Sequence, residues 1–186
     1  MQRRFATVAL IAVAAGSLFA VPAQGQTGRH CAYRLVTIAR HGSVNVTRPE
    51  LIGCYGTFSE SLAAGSGGSI RVSSSMTPQR LTDADLTAVA LAGSVLIGTE
   101  FDLGSFDGAS QDYFASSTCS STNIWELNWV GDQWNDRFQS GKGFGGCDHN
   151  KKFAAADFGG NVLTCTPNCS GYGSLANEVS SLRWKP

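Results

Sequence analysis

The sequence predicts an exported, mostly β protein, with an α+β N-terminal unit over residues 24–94 followed by an all-β two-sheet sandwich over 95–186. Three observations predict it. A basic and apolar leader precedes an even set of cysteines, and helix-like patterns are confined to the stretch before residue 95. Beyond that point a skeleton of aromatics and glycine occurs twice, 52 residues apart: Phe101, Phe106 and Gly108 are answered by Phe153, Phe158 and Gly160.

Arg3 and Arg4 precede an apolar run from Phe5 to about Val21, and small residues follow at Val21-Pro22-Ala23, with Ala23-Gln24-Gly25 as the alternative exit. This order describes a secretory signal peptide, so residues 1–23 are expected to be cleaved and the mature protein to be extracellular. A membrane anchor fits less well, because the run is marginal in length and rich in Ala and Gly. No later segment approaches the ~20 apolar residues of a membrane span, and no stable membrane insertion is expected after cleavage. Lys plus Arg and Asp plus Glu each number 14, so formal charge is near zero and no basic field for nucleic acid is expected.

The six cysteines are Cys31, Cys54, Cys119, Cys147, Cys165 and Cys169. In an exported chain an even count reads as a disulfide framework, although six cysteines allow fifteen connectivities. Proximity suggests Cys31–Cys54, Cys119–Cys147 and Cys165–Cys169. A zinc site is the weaker reading: there is no C-x-x-C, and His149 beside Cys147 has no second such pair.

In the first region CAYRLVTIA reads as a strand, with His30 and His41 as surface residues near its ends. TFSESLAAG suggests a short helix stopped by Gly65, and GSGGSIRVSSS a glycine-led turn into a further strand. LTDADLTAVALAG is the clearest helix: Thr82 can cap it, Asp83 and Asp85 suit its positive end, Leu86, Val89 and Ala90 share a stripe, and Gly93 suits its exit.

From Val95 the helical signal ends. VLIGTEFD alternates, and IWELNWV places Trp125, Leu127 and Trp129 on one face of a strand with Glu126 and Asn128 on the other. Short strands and glycine-rich turns argue for a sandwich whose aromatics fill the core; carbohydrate stacking by Trp125 or Trp129 is the lesser reading. Each repeat also has a second half, since Trp134–Ser140 (WNDRFQS) aligns with Leu175–Ser181 (LANEVSS).

In these residues the chain resembles the βγ-crystallin family, whose Greek-key motif carries an aromatic, four residues, a second aromatic, one residue and a glycine. The resemblance covers 95–186 and implies two Greek-key motifs in one two-sheet domain. It further implies a folded-over hairpin whose glycine takes a positive φ and whose aromatics cover it, tied down by a later serine, here Ser140 and Ser181. Many microbial members bind calcium through a segment of Asn/Asp, Asn/Asp, two variable residues, Ser/Thr and Ser, whose oxygens suit that hard cation. Here neither segment is complete. Asn135 and Asp136 are followed by Gln139 in the Ser/Thr place, while Asn177, Ser180 and Ser181 are preceded by Ala176 in the first acidic or amide place. The resemblance thus implies at most a weak Ca2+ site, with Asn135, Asp136, Asn177 and Ser180 as metal ligands. The bland alternative is that these residues tie loops together by hydrogen bonds.

The leading expectation is a secreted, non-catalytic module with at most a weak calcium site that adds to its stability. The alternative is a peptidase inhibitor or killer-toxin-like effector acting on an extracellular protease or a cell-surface target, as other secreted proteins resembling this family do. Its candidate loops are SSTCSSTN around Cys119 and TCTPNCSGYG around Cys165–Cys169. Enzyme templates fail: there is no G-x-S-x-G and no H-E-x-x-H, and Asp102, Asp107, Asp112 and Asp157 show no spacing that singles out a catalytic pair.

Overall fold

The computed structural model describes residues 30–86 and 94–186. The expected signal peptide, and Val89, Ala90 and Gly93 of the expected helix, lie outside the described residues. Strands β1 (His30–His41) and β2 (Val44–Tyr55) form an antiparallel hairpin in which Cys31 and Cys54 face each other and are disulfide-bonded. His30 and His41 are the two ends of β1, as the sequence suggested.

Helix α1 (Phe58–Gly65) opens with a reciprocal cap: Thr57 Oγ1 accepts from Glu60 N, and Glu60 Oε2 accepts from Thr57 N. At its end Gly65 lies against the Phe114 ring, where a Cβ would collide. The strand expected within GSGGSIRVSSS does not form. Its backbone is drawn into local turns instead, with Ile70 N donating to Ser66 Oγ at 2.8 Å and Arg71 Nε to Gly68 O at 2.9 Å. Helix α2 (Asp83–Leu86) is short among the described residues, and the cap is inverted there: Asp85 Oδ2 accepts from both the backbone N and the hydroxyl of Thr82.

Seven strands follow: β3 (Val95–Phe101), β4 (Ser110–Ala115), β5 (Ile124–Leu127), β6 (Ser140–Gly143), β7 (His149–Phe153), β8 (Val162–Cys165) and β9 (Ser181–Lys185). Hydrogen bonding runs through all nine in the order β6-β3-β4-β1-β2-β5-β9-β7-β8. The sequence reading set an α+β unit apart from a two-sheet sandwich. Instead β1 pairs parallel with β4, and β2 parallel with β5, so the N-terminal hairpin joins the two sheets along one side. On the other side Gly141 and Cys169 exchange both backbone bonds, at 3.0 and 3.1 Å, linking β6 to the loop after β8. The halves enclose one core containing Tyr113, Trp125, Phe138, Leu182 and Trp184, with the Tyr113 and Trp184 rings 5.0 Å apart.

The repeat is realised residue by residue. Gly108 and Gly160 take φ of 82° and 73°, and each is preceded by two consecutive left-handed residues, Ser105-Phe106 and Asp157-Phe158. Left-handed phenylalanine is disfavoured by its Cβ. What holds it is the serine tie: Ser140 Oγ donates to Leu103 O at 2.6 Å and accepts from Phe106 N at 3.0 Å, while Ser181 Oγ donates to Ala155 O at 2.7 Å and accepts from Phe158 N at 3.1 Å. The paired rings add edge contacts, 6.0 Å for Phe101–Phe106 and 5.5 Å for Phe153–Phe158.

The two copies differ in cover. Strands β3, β4 and β6 are almost wholly buried on both faces, because α1 and the segment 66–82 lie across their outer side. Phe58, Leu62, Ile70 and Leu81 pack there on Leu96, Phe114 and Phe144. Lys142 Nζ donates to Leu81 O at 2.7 Å and Pro78 O at 3.0 Å, and Ser61 Oγ to Asp112 Oδ2 at 2.5 Å.

Two outcomes follow from these contacts. Ser140→Ala or Ser181→Ala leaves a phenylalanine N–H unpaired beside strained backbone and is expected to cost about 1–3 kcal/mol in urea unfolding, against under about 0.5 for the exposed Ser170→Ala. Asp112, fully buried, has its pKa raised to about 7 chiefly by desolvation, against hydrogen bonds from Ser61 and Ser110. The native state therefore holds this proton more tightly than the unfolded chain, whose Asp titrates near 3.9. The stability Asp112 contributes is present below about pH 4 and is lost as pH rises through about 7, by at most ~1.4 kcal/mol per pH unit. Asp112→Asn should flatten that part of the stability–pH curve, measured by urea midpoints across the window.

Candidate functional site

Both segments expected to carry metal ligands pass through a left-handed turn at their second place, Asp136 with φ 59° and Asn177 with φ 61°. Asn and Asp tolerate that region better than other residues with a Cβ. The turns lock the two copies together: Asp136 N donates to Val179 O at 3.2 Å, and Asn177 N to Phe138 O at 2.9 Å. Each turn therefore lies against the partner segment, Asp136 next to Val179-Ser180 and Asn177 next to Phe138-Gln139.

The two sides of this crossing are chemically unequal. On the first, Ser180 Oγ bonds Ala154 O at 3.2 Å, and Asn135 Nδ2 donates to Asp136 Oδ2 at 2.7 Å. The oxygens on this side are the Asp136 carboxylate, the Ser180 hydroxyl, the Ala154 carbonyl and the Asn135 amide oxygen, which is buried with no hydrogen-bond partner among the described residues. That set has the hard character calcium prefers, with little charge to hold it. On the second side Asp102, which corresponds to Ala154, pairs with Arg137 Nη2 at 3.1 Å and accepts from Ala109 N at 2.7 Å. The Arg137 guanidinium also lies over Trp134, 4.8 Å from the ring centroid. With a fixed cation on Asp102 and no side-chain oxygen at Ala176, this side does not fit a metal ion. Among the described residues no three His, Cys, Asp or Glu side chains form a metal-holding group.

The four aspartates considered for catalysis have separate partners. Asp102 pairs with Arg137 and Asp112 is held by Ser61 and Ser110, while Asp107 accepts from Gly108 N and Asp157 from Asn128 Nδ2. Trp125 is buried in the core, and Trp129 donates through Nε1 to Asp132 at 3.2 Å. The three disulfides connect Cys31–Cys54, Cys119–Cys147 and Cys165–Cys169. The Cys165–Cys169 loop turns its backbone inward: Pro167 O accepts from Gly143 N at 3.2 Å and Asn150 Nδ2 at 2.8 Å, and Cys169 bonds Gly141.

Sequence reasoning passed over an ionic group at the centre of the core. Lys152 Nζ donates to Glu100 Oε1, and the Tyr172 hydroxyl donates to Glu100 Oε2. Burial pushes Glu100 up and Lys152 down, against their mutual attraction, and burial beside Glu100 holds the Tyr172 phenol protonated. Glu100 and Lys152 are 0% and 1% exposed, so no substrate reaches them. A signal was present: each directly precedes the first aromatic of its copy.

No protein-family model matches the chain, and no curated protein matches it. Among solved structures it is similar to a βγ-crystallin from an archaeon, with 22% identity over 48% of this chain and 96% of that one and a TM-score of 0.36. The N-terminal domain of protein S gives 21% identity over 47% and 93%, with a TM-score of 0.35. A βγ-crystallin from Ciona intestinalis gives 19% over 46% and 94%, also at 0.35. The two tied hairpins, with their glycines, aromatics and serines, carry the conclusion: the half of the chain from Val95 onward has a βγ-crystallin-like fold.

Proposed function

We propose that this protein is a secreted, non-catalytic βγ-crystallin-like module in which one weak calcium site adds to stability. The observation that supports it is the crossing of the two segments, which sets the Asp136 turn against Val179-Ser180 while Ser180 Oγ meets Ala154 O. Asp136, Ser180 and the Ala154 carbonyl would hold the ion, with Asn135 orienting the carboxylate; Asn177 stays a structural turn beside the arginine-occupied side. Calcium bound there would supply charge neutralisation and a cross-tie between the copies. The three disulfides accord with an oxidising, extracellular setting, and among the described residues no helix is long and apolar enough to cross a membrane. The peptidase-inhibitor reading is weaker on this geometry. An inhibitory loop presents its backbone to a protease, whereas that of Pro167 and Cys169 is committed to β6 and Asn150.

Calorimetric titration and thermal melts of the oxidised mature chain test the proposal. The expected dissociation constant is on the order of 10⁻⁴–10⁻³ M, the range of extracellular calcium modules. Saturating calcium should raise Tm, and Asp136→Asn should abolish both heat and shift. Absence of any shift at millimolar calcium, or a shift untouched by Asp136→Asn, would refute the site.

A further inference from the structure

The unequal cover of the two copies leaves one sheet face without such an outer layer. In copy one, Thr99, Asp112, Lys142 and Phe144 are buried beneath α1 and the segment 66–82. The repeat makes these positions equivalent to Lys151, Thr164, Arg183 and Lys185 of copy two. There the burial of β7 and β9 alternates, with Lys152, Leu182 and Trp184 inward and Lys151, Arg183 and Lys185 partly exposed on the opposite face.

The register places like beside like on that face. Lys151 is directly opposite Arg183. Like charges facing each other across a sheet are destabilising, so the fold carries repulsion here that apolar or mixed residues would avoid. Among the described residues of these strands one carboxylate answers them: Glu126 Oε1, 2.5 Å from Arg183 Nε. The Arg183 guanidinium also sits over Phe158, 4.9 Å from the ring centroid, which fixes it in place while Lys151 and Lys185 stay partly solvated.

We propose that the outward face of β5, β9, β7 and β8 binds a linear acidic polysaccharide through Lys151 and Lys185, with Arg183 as the anchored central cation. The cations stand on neighbouring strands about 4.8 Å apart and on alternate residues about 7 Å apart, a spacing suited to an extended polymer with a repeating anionic group. Exposed Val162 and Thr164 on β8 offer apolar and hydroxyl contacts to sugar rings. Single-stranded nucleic acid is disfavoured because base stacking needs presented aromatic faces. On this side Phe153 is buried, Phe158 lies under Arg183, and Trp125 and Trp184 point into the core.

Affinity electrophoresis of the oxidised chain through gels containing polygalacturonate, dextran sulfate or neutral dextran tests the assignment, with calcium absent so that the outcome is independent of the metal site. Retardation by both polyanions, weakening with salt, and none by neutral dextran are expected. Lys151→Gln combined with Lys185→Gln should weaken retardation by about tenfold or more, as lost counterion release requires. Lys151→Arg with Lys185→Arg should retain it, and so should Arg71→Gln on the opposite cover segment; thermal melts confirm that each variant is folded. No retardation at low salt, equal retardation of the Gln double variant, or tighter binding of single-stranded DNA than of either polysaccharide would overturn the proposal.

Discussion

The ion pair between Glu100 and Lys152 is the constraint around which the core is arranged. The two residues are 52 positions apart, the same offset that relates the hairpins, so they occupy one position of the motif in its two copies. The fold turns both inward and brings them together. Two identical residues there would put like charges in contact in the core, and only divergence between the copies makes the junction possible. Gly141 leaves the room: a Cβ there would meet both the Tyr172 hydroxyl and the Glu100 carboxylate. Buried ion pairs add little net stability over apolar replacements, but breaking one costs about 3–5 kcal/mol. The pair therefore acts as a register lock. Sliding β7 by one residue would turn Lys152 to the outer face and strand Glu100 in the core.

From that junction the asymmetry of the chain follows. A symmetric pair of motifs would leave sheet edges on both sides, and unpaired edges invite association. The N-terminal hairpin closes one side by pairing with β4 and β5, and the loop from Cys165 to Cys169 closes the other by pairing with β6. Two of the three disulfides lie in these closing elements. After β2 the chain returns across copy one, where Leu62, Ile70 and Leu81 complete an apolar layer and Lys142 satisfies the carbonyls of Pro78 and Leu81. The region that precedes the repeat is thus a second wall of the same molecule.

What the sequence made legible is what backbone geometry demands. Gly108 and Gly160, and the hydroxyls of Ser140 and Ser181, answer to fixed φ values and fixed donors, so they survive in both copies and could be read without a structure. The disulfide pairs were readable because each links cysteines close along the chain. Parallel pairing of His30 with Ser110 has no local signature, since it joins residues 80 positions apart through backbone groups every residue carries. Ile70 and Val72 suggested a strand because burial alone produces the same apolar pattern, and here the burial comes from packing onto copy one. The proposed ligand segments were legible as segments only. Their altered positions, Gln139 and Ala176, could be seen, but not that Arg137 reaches across to Asp102 and supplies a cation of its own.

A formal charge of zero also concealed a separation. Asp102, Asp107, Asp132, Asp136, Asp157 and Glu178 lie in the hairpins and connecting segments where the copies cross, and those loops touch one another through Asp136–Val179, Asn177–Phe138 and Asp157–Asn128 backbone bonds. Lys151, Arg183 and Lys185 lie instead on the strands of copy two, where alternation points them away from the core. Net charge is a sum and carries no position, whereas the field at a surface depends on which charges share it within a Debye length of about 8–10 Å. In copy two the fold sets three bases on one sheet face and gathers six acids, together with Arg137, where the copies cross, so a net charge of zero describes neither surface.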